Sequence, residues 1–359
     1  MVDCCIIGWA FQCDKSRKAP IEEIKSITSR DQIDQVVESW SGRWLLIWHD
    51  ILRMDACGLL GCFYTDDGIF SESVALIDEV KRRRSISPRI EHGFGLDYYP
   101  GSRTMQVDTL RLLPSESISL TTAKLENHHL YPEVPALAND EQRINLLVET
   151  MSTMLRNVDK NYPGELVLTL TGGYDSRTMM AILEKTAVPY RAVTLEHGNI
   201  SLEDKVLPGQ LANLCGASWK YVPRVGKGDK ARYKAFDEHC GGMAVDEDRN
   251  FYAYRQYPEN EGRIGIVRCG TPEVTFPLHH WFVLECGTDI EKYSDMFVNV
   301  RGRRDIRESL EQWLVEGWHD PELSLLSDYY WNMRAGCWLS SVEQSLTILE
   351  GTDVSAGFN

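Results

Sequence analysis

The segment from residue 165 to residue 183 constrains the fold most, because a strand-like apolar run, a glycine turn and a helix-forming stretch follow one another there. Val167, Leu168 and Leu170 have the composition of a buried strand, and residues 177–184 are good helix formers. Between them lies the turn Thr171-Gly172-Gly173-Tyr174-Asp175-Ser176. Glycines allow backbone N–H groups to point into such a turn, and the N-terminus of the helix adds partial positive charge. The segment therefore predicts a site for a polyphosphate.

The same turn has a simpler interpretation, as a strand-to-helix connection capped by Asp175 or Ser176. It is not the phosphate loop of kinases and GTPases, because no Gly-Lys-Ser or Gly-Lys-Thr follows the glycines. The order of glycines, hydroxyls and carboxylate between a strand and a helix favours phosphate binding over a cap alone.

Strands and helices alternate through the second half of the chain. The predicted strands are 165–170, 190–195, 219–223 and 263–268, and the predicted helices are 177–186 and 202–215. Such alternation predicts a parallel sheet covered by helices, with ligands bound at the carboxyl ends of the strands. The turn at 171–176 stands at one of these ends.

The first 130 residues predict a mostly β region of short strands separated by turns. Candidate strands are 4–11, 44–48, 61–64, 69–71 and 117–120, and Asp66-Asp67-Gly68 predicts a hairpin turn. The stretch 131–139 contains two prolines and several small residues, which is typical of a connector. We therefore expect one domain at 1–135 and a second at 136–359.

Composition disfavours several classes of function. Lys and Arg total 38 against 53 Asp and Glu, and the net charge of −15 disfavours broad contact with nucleic acid or an anionic membrane. The ten cysteines include no C-x-x-C pair, so neither a structural zinc site nor a disulfide framework is indicated. No apolar run is long enough to span a bilayer, and no signal peptide is recognisable. The expectation is a cytoplasmic protein with reduced thiols.

Motifs in both halves carry a resemblance to one family. In the first half these are Gly42-Arg43-Trp44, the run from Asp55 to Gly58, Phe63-Tyr64 and Ile69-Phe70-Ser71. In the second half, the turn at 171–176 is similar to the pyrophosphate loop Ser-Gly-Gly-x-Asp-Ser of ATP pyrophosphatases, with Thr171 in place of the first serine. Together they resemble the asparagine synthetase family, whose relatives include the β-lactam synthetases and the lasso-peptide cyclases. The resemblance implies an α+β, mostly β domain of the N-terminal-nucleophile type, followed by an α/β domain with a parallel sheet of the ATP pyrophosphatase type.

The resemblance also implies where ATP and Mg²⁺ bind. The loop residues that would hold the pyrophosphate of ATP are Thr171, Gly172, Gly173, Asp175 and Ser176. Backbone atoms around Val193 to Leu195 would receive the adenine. Cys269-Gly270-Thr271-Pro272-Glu273 resembles a shortened form of the loop that brings a second acid to the metal, so Asp175 and Glu273 are the implied Mg²⁺ ligands. A carboxylate at a strand end without a metal is the alternative for Glu273.

A catalytic role is implied for Asp175, through the metal, and for Arg334. Family members commonly extend further and supply a late lysine near the reacting carboxylate, whereas the last lysine here is Lys292. We therefore expect a C-terminally shortened domain in which Arg334 supplies the positive charge. Tyr330, Arg334 and Trp338 also fall on one stripe of a predicted helix, so packing is the alternative role for them.

The N-terminal domain is expected to be degenerate. Working glutaminases of the family have a cysteine directly after the initiator Met, where the freed amino group serves as the base, and that position is Val2 here. Cys4 has Gly8 four residues on, as the family's nucleophile does, so trimming of three residues is the alternative. Without trimming, Cys4 and Cys5 are ordinary buried thiols.

The resemblance implies an ATP-dependent ligase that adenylates a substrate carboxylate and passes it to an amine or ammonia, with AMP and pyrophosphate as products. The substrate would be a small molecule or a peptide that carries a carboxylate. Two alternatives stay open: a non-catalytic nucleotide-binding or partner-binding relative, and a pyrophosphate-loop enzyme that modifies RNA, which the acidity disfavours. A homodimer or a partner protein also stays open.

Overall fold

The computed structural model describes residues 4–82, 100–104, 106–129, 139–196, 200–223, 254, 262, 264–268, 304–340, 343 and 352–356. The strands are β1 (Cys4–Gln12), β2 (Trp40–Trp48), β3 (Ile51–Met54), β4 (Phe63–Tyr64), β5 (Phe70–Ser71), β6 (Leu110–Arg111), β7 (Glu116–Ser119), β8 (Leu125–Asn127), β9 (Glu165–Thr169), β10 (Arg191–Leu195), β11 (Trp219–Val222), β12 (Ile264–Arg268) and β13 (Thr352–Ala356). The α-helices are α1 (Pro20–Glu23), α2 (Gln32–Val37), α3 (Val74–Arg82), α4 (Asp140–Asn161), α5 (Tyr174–Thr186), α6 (Leu202–Cys215), α7 (Arg304–Glu311) and α8 (Leu325–Tyr329). A 3₁₀ turn covers Ile24–Ser26, and two π-helices cover Gln312–Glu316 and Tyr330–Leu339.

Antiparallel sheets dominate the first half. One sheet has the order β1-β2-β3-β7-β8, and a smaller one has the order β5-β4-β6. Strands β4 and β5 pair on either side of residues 66–68, where the sequence predicts a hairpin turn. The mostly β character predicted for this half is therefore confirmed.

The long pairing of β1 with β2 requires two glycines. Gly8 has a φ of +87°, and a Cβ at that position would lie 2.3 Å from the carbonyl oxygen of Arg43. Gly42 has a φ of +109°, and a Cβ there would lie 2.2 Å from the carbonyl oxygen of Trp9. Because these positive φ values are unfavourable for residues with a Cβ and the neighbouring backbone is so close, glycine is the residue that fits both positions.

A five-stranded parallel sheet forms the second half, with the order β11-β10-β9-β12-β13. Helix α5 connects β9 to β10, and α6 connects β10 to β11, so the predicted alternation is confirmed. The sequence analysis did not predict β13, which adds an edge strand beside β12. The strand order reverses between β9 and β12, which creates a topological switch point at the central strand.

The two halves share a hydrophobic core. Phe11 of β1 is 3% exposed and belongs to the cluster of apolar side chains under the parallel sheet, and Trp9 packs edge-on against Tyr162 with ring centroids 5.3 Å apart. The side-chain amide of Asn157 in α4 donates to the carbonyl oxygen of Gln12 at 2.7 Å. The expected boundary near residue 135 falls within residues 130–138, outside the described residues, so the division into two domains stays a prediction.

Residues 304–340 also pack against the first half. The Arg111 guanidinium donates to the carbonyl oxygen of Gly336 at 3.1 Å, and the Trp331 indole donates to that of Ala56 at 2.6 Å. A Cβ at Gly336 would lie 2.5 Å from the Pro114 ring, so the backbone of this helix approaches the first half closely. The C-terminal helices thus depend on the β-rich half for much of their packing.

In the described residues, no helix combines the length and the apolar composition that crossing a membrane requires.

The shared core predicts that Phe11→Ala destabilises both halves together. Removing this buried ring leaves a cavity between β1 and α4 and should lower the free energy of unfolding by about 3–5 kcal/mol. Ile21→Ala, at a side chain that is 54% exposed, should change it by less than about 0.5 kcal/mol. Denaturant unfolding monitored by tryptophan fluorescence and circular dichroism should show one earlier transition for Phe11→Ala, whereas a loss confined to one of two separate transitions would contradict the shared core.

Candidate functional site

The turn at residues 171–176 lies at the carboxyl end of β9, the central strand of the parallel sheet. Strand β9 pairs with β10 on one side and with β12 on the other. The turn therefore opens onto the switch point between β9 and β12, where ligands bind in open α/β sheets. The sequence predicted that the turn stands at the carboxyl end of a parallel strand, and the structure confirms this; the sequence did not predict the switch point.

Hydrogen bonds to β10 fix the start of the turn. Leu170 donates its backbone N–H to the carbonyl oxygen of Val193 at 2.9 Å, and the Thr194 hydroxyl donates to the carbonyl oxygen of Leu170 at 2.7 Å. The Trp219 indole donates to the same Thr194 hydroxyl at 2.9 Å. Thr194 is 1% exposed, so this bridge is shielded from water and holds the turn at a defined place on the sheet.

Two hydroxyls shape the turn itself. The Ser176 Oγ accepts the backbone N–H of Thr171 at 3.0 Å and lies 3.1 Å from the Thr171 Oγ1. The Thr171 Oγ1 in turn accepts the backbone N–H of Gly173 at 3.1 Å. Both predicted ligand hydroxyls are therefore brought together, and each already holds a backbone amide of the loop.

The N-cap of α5 is Gly173, and among the described residues no side chain forms a cap hydrogen bond there. The Ser176 hydroxyl instead bonds to Thr171 at the start of the turn, and the interpretation as a structural strand-to-helix connection stays open. Asp175 is exposed in the first turn of α5, where the helix dipole favours a negative group.

A second carboxylate contacts the turn. The backbone N–H of Gly172 donates to the Asp204 Oδ1 at 2.6 Å, and the Ser201 hydroxyl donates to the Asp204 Oδ2 at 2.9 Å. Asp204 lies in the first turn of α6, and its own N–H donates to the Ser201 Oγ at 3.0 Å, which caps the helix. The sequence analysis missed this contact between Asp204 and the turn.

The two glycines are needed because the turn is crowded. A Cβ at Gly172 would lie 3.1 Å from the Asp204 Oδ1 and 3.3 Å from a methyl group of Leu207. A Cβ at Gly173 would lie 3.2 Å from the Thr171 Oγ1. Side chains at either position would push apart the groups that the loop amides contact.

The two positions predicted to receive adenine have different surroundings. Val193 is fully buried, and its carbonyl oxygen already accepts the N–H of Leu170. Leu195 is half-buried at the last position of β10, on the carboxyl edge of the sheet. Leu195 is therefore the more accessible of the two positions.

Cationic groups also lie near this edge. The Arg177 Nε donates to the carbonyl oxygen of Gly173 at 3.1 Å, and its guanidinium lies over the Tyr174 ring at 4.6 Å. The Lys205 Nζ lies 2.8 Å from the Glu196 Oε1, and this hydrogen bond raises the pKa of Lys205. Lys205 was missed, although it directly follows Asp204 in a helix that begins after the second strand of the sheet.

The described part of the structure does not place the side chains of the other two predicted site residues, Glu273 and Arg334, near the turn. Glu273 and the rest of 269–273 lie outside the described residues, although the strand that leads to this segment, β12, pairs with β9. Arg334 lies in the π-helix at residues 330–339, and its side chain is outside the described part. The backbone of this segment is a π-helix rather than the expected α-helix. Within the described ranges, no three His, Cys, Asp or Glu side chains form a metal-binding group.

No protein-family model matches this chain, and no curated protein matches it.

The hydrogen bonds of the turn predict that Ser176→Ala destabilises it. The Ser176 side chain is buried, and its loss leaves the Thr171 N–H without the acceptor it has here, which should cost about 1–2 kcal/mol of unfolding free energy. Thr178→Ala removes an exposed hydroxyl that contacts only the backbone of α5 among the described residues, and should cost less than about 0.5 kcal/mol. Hydrogen exchange should show faster exchange at residues 171–173 in Ser176→Ala alone, and equal effects of the two variants would contradict this account of the turn.

Proposed function

We propose that the protein is an ATP-dependent amide-bond-forming ligase, and that the turn at 171–176 binds the pyrophosphate portion of ATP. The observation that carries the proposal is the position of this glycine turn. It lies between the central parallel strand and a helix N-terminus, at the switch point of the sheet. Backbone amides and a helix dipole at such a point favour a bound polyphosphate.

The residues of the turn fit an oxyanion. The Gly172 N–H already binds an anionic oxygen, because its acceptor is the Asp204 carboxylate at 2.6 Å. The glycines keep Cβ atoms out of the space next to the loop amides. Arg177 lies at the edge of the same turn and adds positive charge.

Mg²⁺ binding at such a site needs few protein ligands, because the ion keeps waters and takes phosphate oxygens. Asp175 supplies one exposed carboxylate, and Glu273 is proposed as a second because it follows β12, the neighbour of β9. When bound, the ion would neutralise the charge that grows on the departing pyrophosphate.

The proposed reaction activates a carboxylate that is otherwise a poor electrophile. A carboxylate oxygen of the substrate attacks the α-phosphorus of ATP and forms an acyl adenylate, and the bond to pyrophosphate breaks. An amine or ammonia then attacks the acyl carbon, and AMP leaves. The loop amides stabilise the leaving pyrophosphate, and preorganised donors of this kind contribute about 3 kcal/mol each. Arg334 is proposed to supply positive charge near the reacting carboxylate, as the resemblance to asparagine synthetases implies.

The nitrogen is proposed to come from a substrate amine or from ammonia rather than from glutamine. Cys4 is the first residue of β1 and pairs with Trp48 of β2. Burial and the neighbouring Cys5 raise the pKa of the Cys4 thiol, which lowers the fraction of reactive thiolate. The proposed compartment is the cytoplasm, and the seven described cysteines are free thiols.

A non-catalytic nucleotide-binding or partner-binding protein is the second candidate. The Asp204 contact with the Gly172 N–H favours it, because a carboxylate stands where the first candidate requires a phosphate oxygen. Pyrophosphate release with candidate carboxylates and amines separates the two functions.

The ligase proposal predicts that Asp175→Asn lowers Mg²⁺-dependent pyrophosphate release by about a hundredfold or more, because the variant loses the charge that holds the cation. Its melting temperature should match the parent, since the side chain is exposed. Asp159→Asn removes an exposed carboxylate near the amino end of β9 and should retain the parent rate. Pyrophosphate release would be measured with panels of carboxylic acids and amines. A parent-like rate in Asp175→Asn would contradict the catalytic role of the loop and leave it only a structural one.

The proposed nitrogen source predicts that Cys4→Ala leaves amide formation unchanged and that the protein releases no glutamate from glutamine. Both follow from a thiol that is placed within a strand and has a raised pKa. A glutaminase assay combined with intact-mass analysis tests this. A mature chain that begins at Cys4 and releases glutamate would show that the N-terminal half works as a glutaminase.

A further inference from the structure

Asp204 is the group that occupies the candidate polyphosphate loop in this structure. Its Oδ1 accepts the Gly172 N–H at 2.6 Å, which is short for an N–H···O bond and typical of a charge-assisted one. Its Oδ2 accepts the Ser201 hydroxyl at 2.9 Å. Its place in the first turn of α6 adds a second helix N-terminus that favours its negative charge. The carboxylate therefore has three separate sources of stabilisation in this position.

The same Gly172 N–H is assigned to the pyrophosphate of ATP by the proposed function, on which this inference rests. One N–H cannot serve two anions at full strength, and two negative groups within about 4 Å repel each other. The acceptor position of this amide is taken by the Asp204 Oδ1, which lies 2.6 Å from the Gly172 nitrogen. A phosphate oxygen can reach the amide only after the carboxylate has left it.

We propose that Asp204 is an autoinhibitory group that competes with polyphosphate for the Gly172 N–H. In the ligand-free protein its carboxylate closes the loop, and polyphosphate binding requires this side chain to move away. The contact should weaken polyphosphate binding and should also promote release of the pyrophosphate product, because the carboxylate returns to the amide that the product leaves.

The opposing account is that Asp204 is a brace that joins α6 to the turn and keeps the loop amides in place. The two accounts predict opposite signs. Loss of a brace loosens the loop and weakens polyphosphate binding, whereas loss of a competitor strengthens it. A gain in affinity is also a result that damage to the fold does not produce.

The test uses isothermal titration calorimetry of the full chain with Mg²⁺-pyrophosphate and with Mg²⁺-ATP. Asp204→Asn keeps an oxygen that can accept the Gly172 N–H but loses the charge, and Asp204→Ala removes the acceptor as well. Glu203→Gln is the matched control, because it makes the same charge change one residue away at an exposed side chain that, in the described residues, has no hydrogen bond to the turn. Melting temperatures verify that each variant is folded.

We expect Asp204→Asn to bind both ligands about tenfold more tightly than the parent, and Glu203→Gln to change the affinity by less than twofold. Asp204→Ala should show a gain of the same sign. One outcome is that the parent binds the ligands and that neither Asp204 variant binds them more tightly than Glu203→Gln does. In that case Asp204 does not compete with polyphosphate, while the proposed function stands. If neither the parent nor the Asp204 variants bind either ligand, the proposed function fails and the inference fails with it.

Discussion

The pairing of β9 with a parallel strand on each side is the constraint on which the rest of the site depends. Val167 and Leu168 point to opposite faces of the sheet and both are fully buried, so this strand is packed on both sides. The hydrogen bonds from Leu170 to Val193 and from Thr194 to Leu170 fix the position of the end of β9 relative to β10. Everything in the turn that follows is positioned from this point.

The turn is held by its own hydrogen bonds, and its backbone amides lie at a helix N-terminus that favours a negatively charged group. Ser176 and Thr171 hold backbone amides in place, which gives a loop that is ordered before any ligand arrives. A preorganised loop of amides at a helix N-terminus attracts an anion. In this structure the Gly172 N–H donates to the Asp204 carboxylate, and both the proposed oxyanion site and its proposed inhibition are argued from this contact.

How much the sequence predicts depends on how local the determining interactions are. The strand, the glycine turn and α5 are encoded within about twenty residues, so apolar pattern and glycine positions predicted all three. The edge strand β13 pairs with β12 across a separation of more than 80 residues, and no local pattern marks it. The bond between Gly172 and Asp204 spans 32 positions, and the sequence shows only the Ser201-x-x-Asp204 cap of the helix. The π-helix at residues 330–339 was expected as an α-helix, because apolar spacing does not distinguish the two.

The most direct test of the central claim is a structure of the protein with Mg²⁺ and α,β-methylene-ATP, an analogue that cannot lose pyrophosphate. The account predicts that a phosphate oxygen accepts the N–H of Gly172, that Asp204 has left this amide, and that the adenine lies beside the end of β10. A nucleotide bound elsewhere, or a turn that keeps Asp204 on Gly172 at saturating analogue, would contradict the claim that this turn is a polyphosphate site.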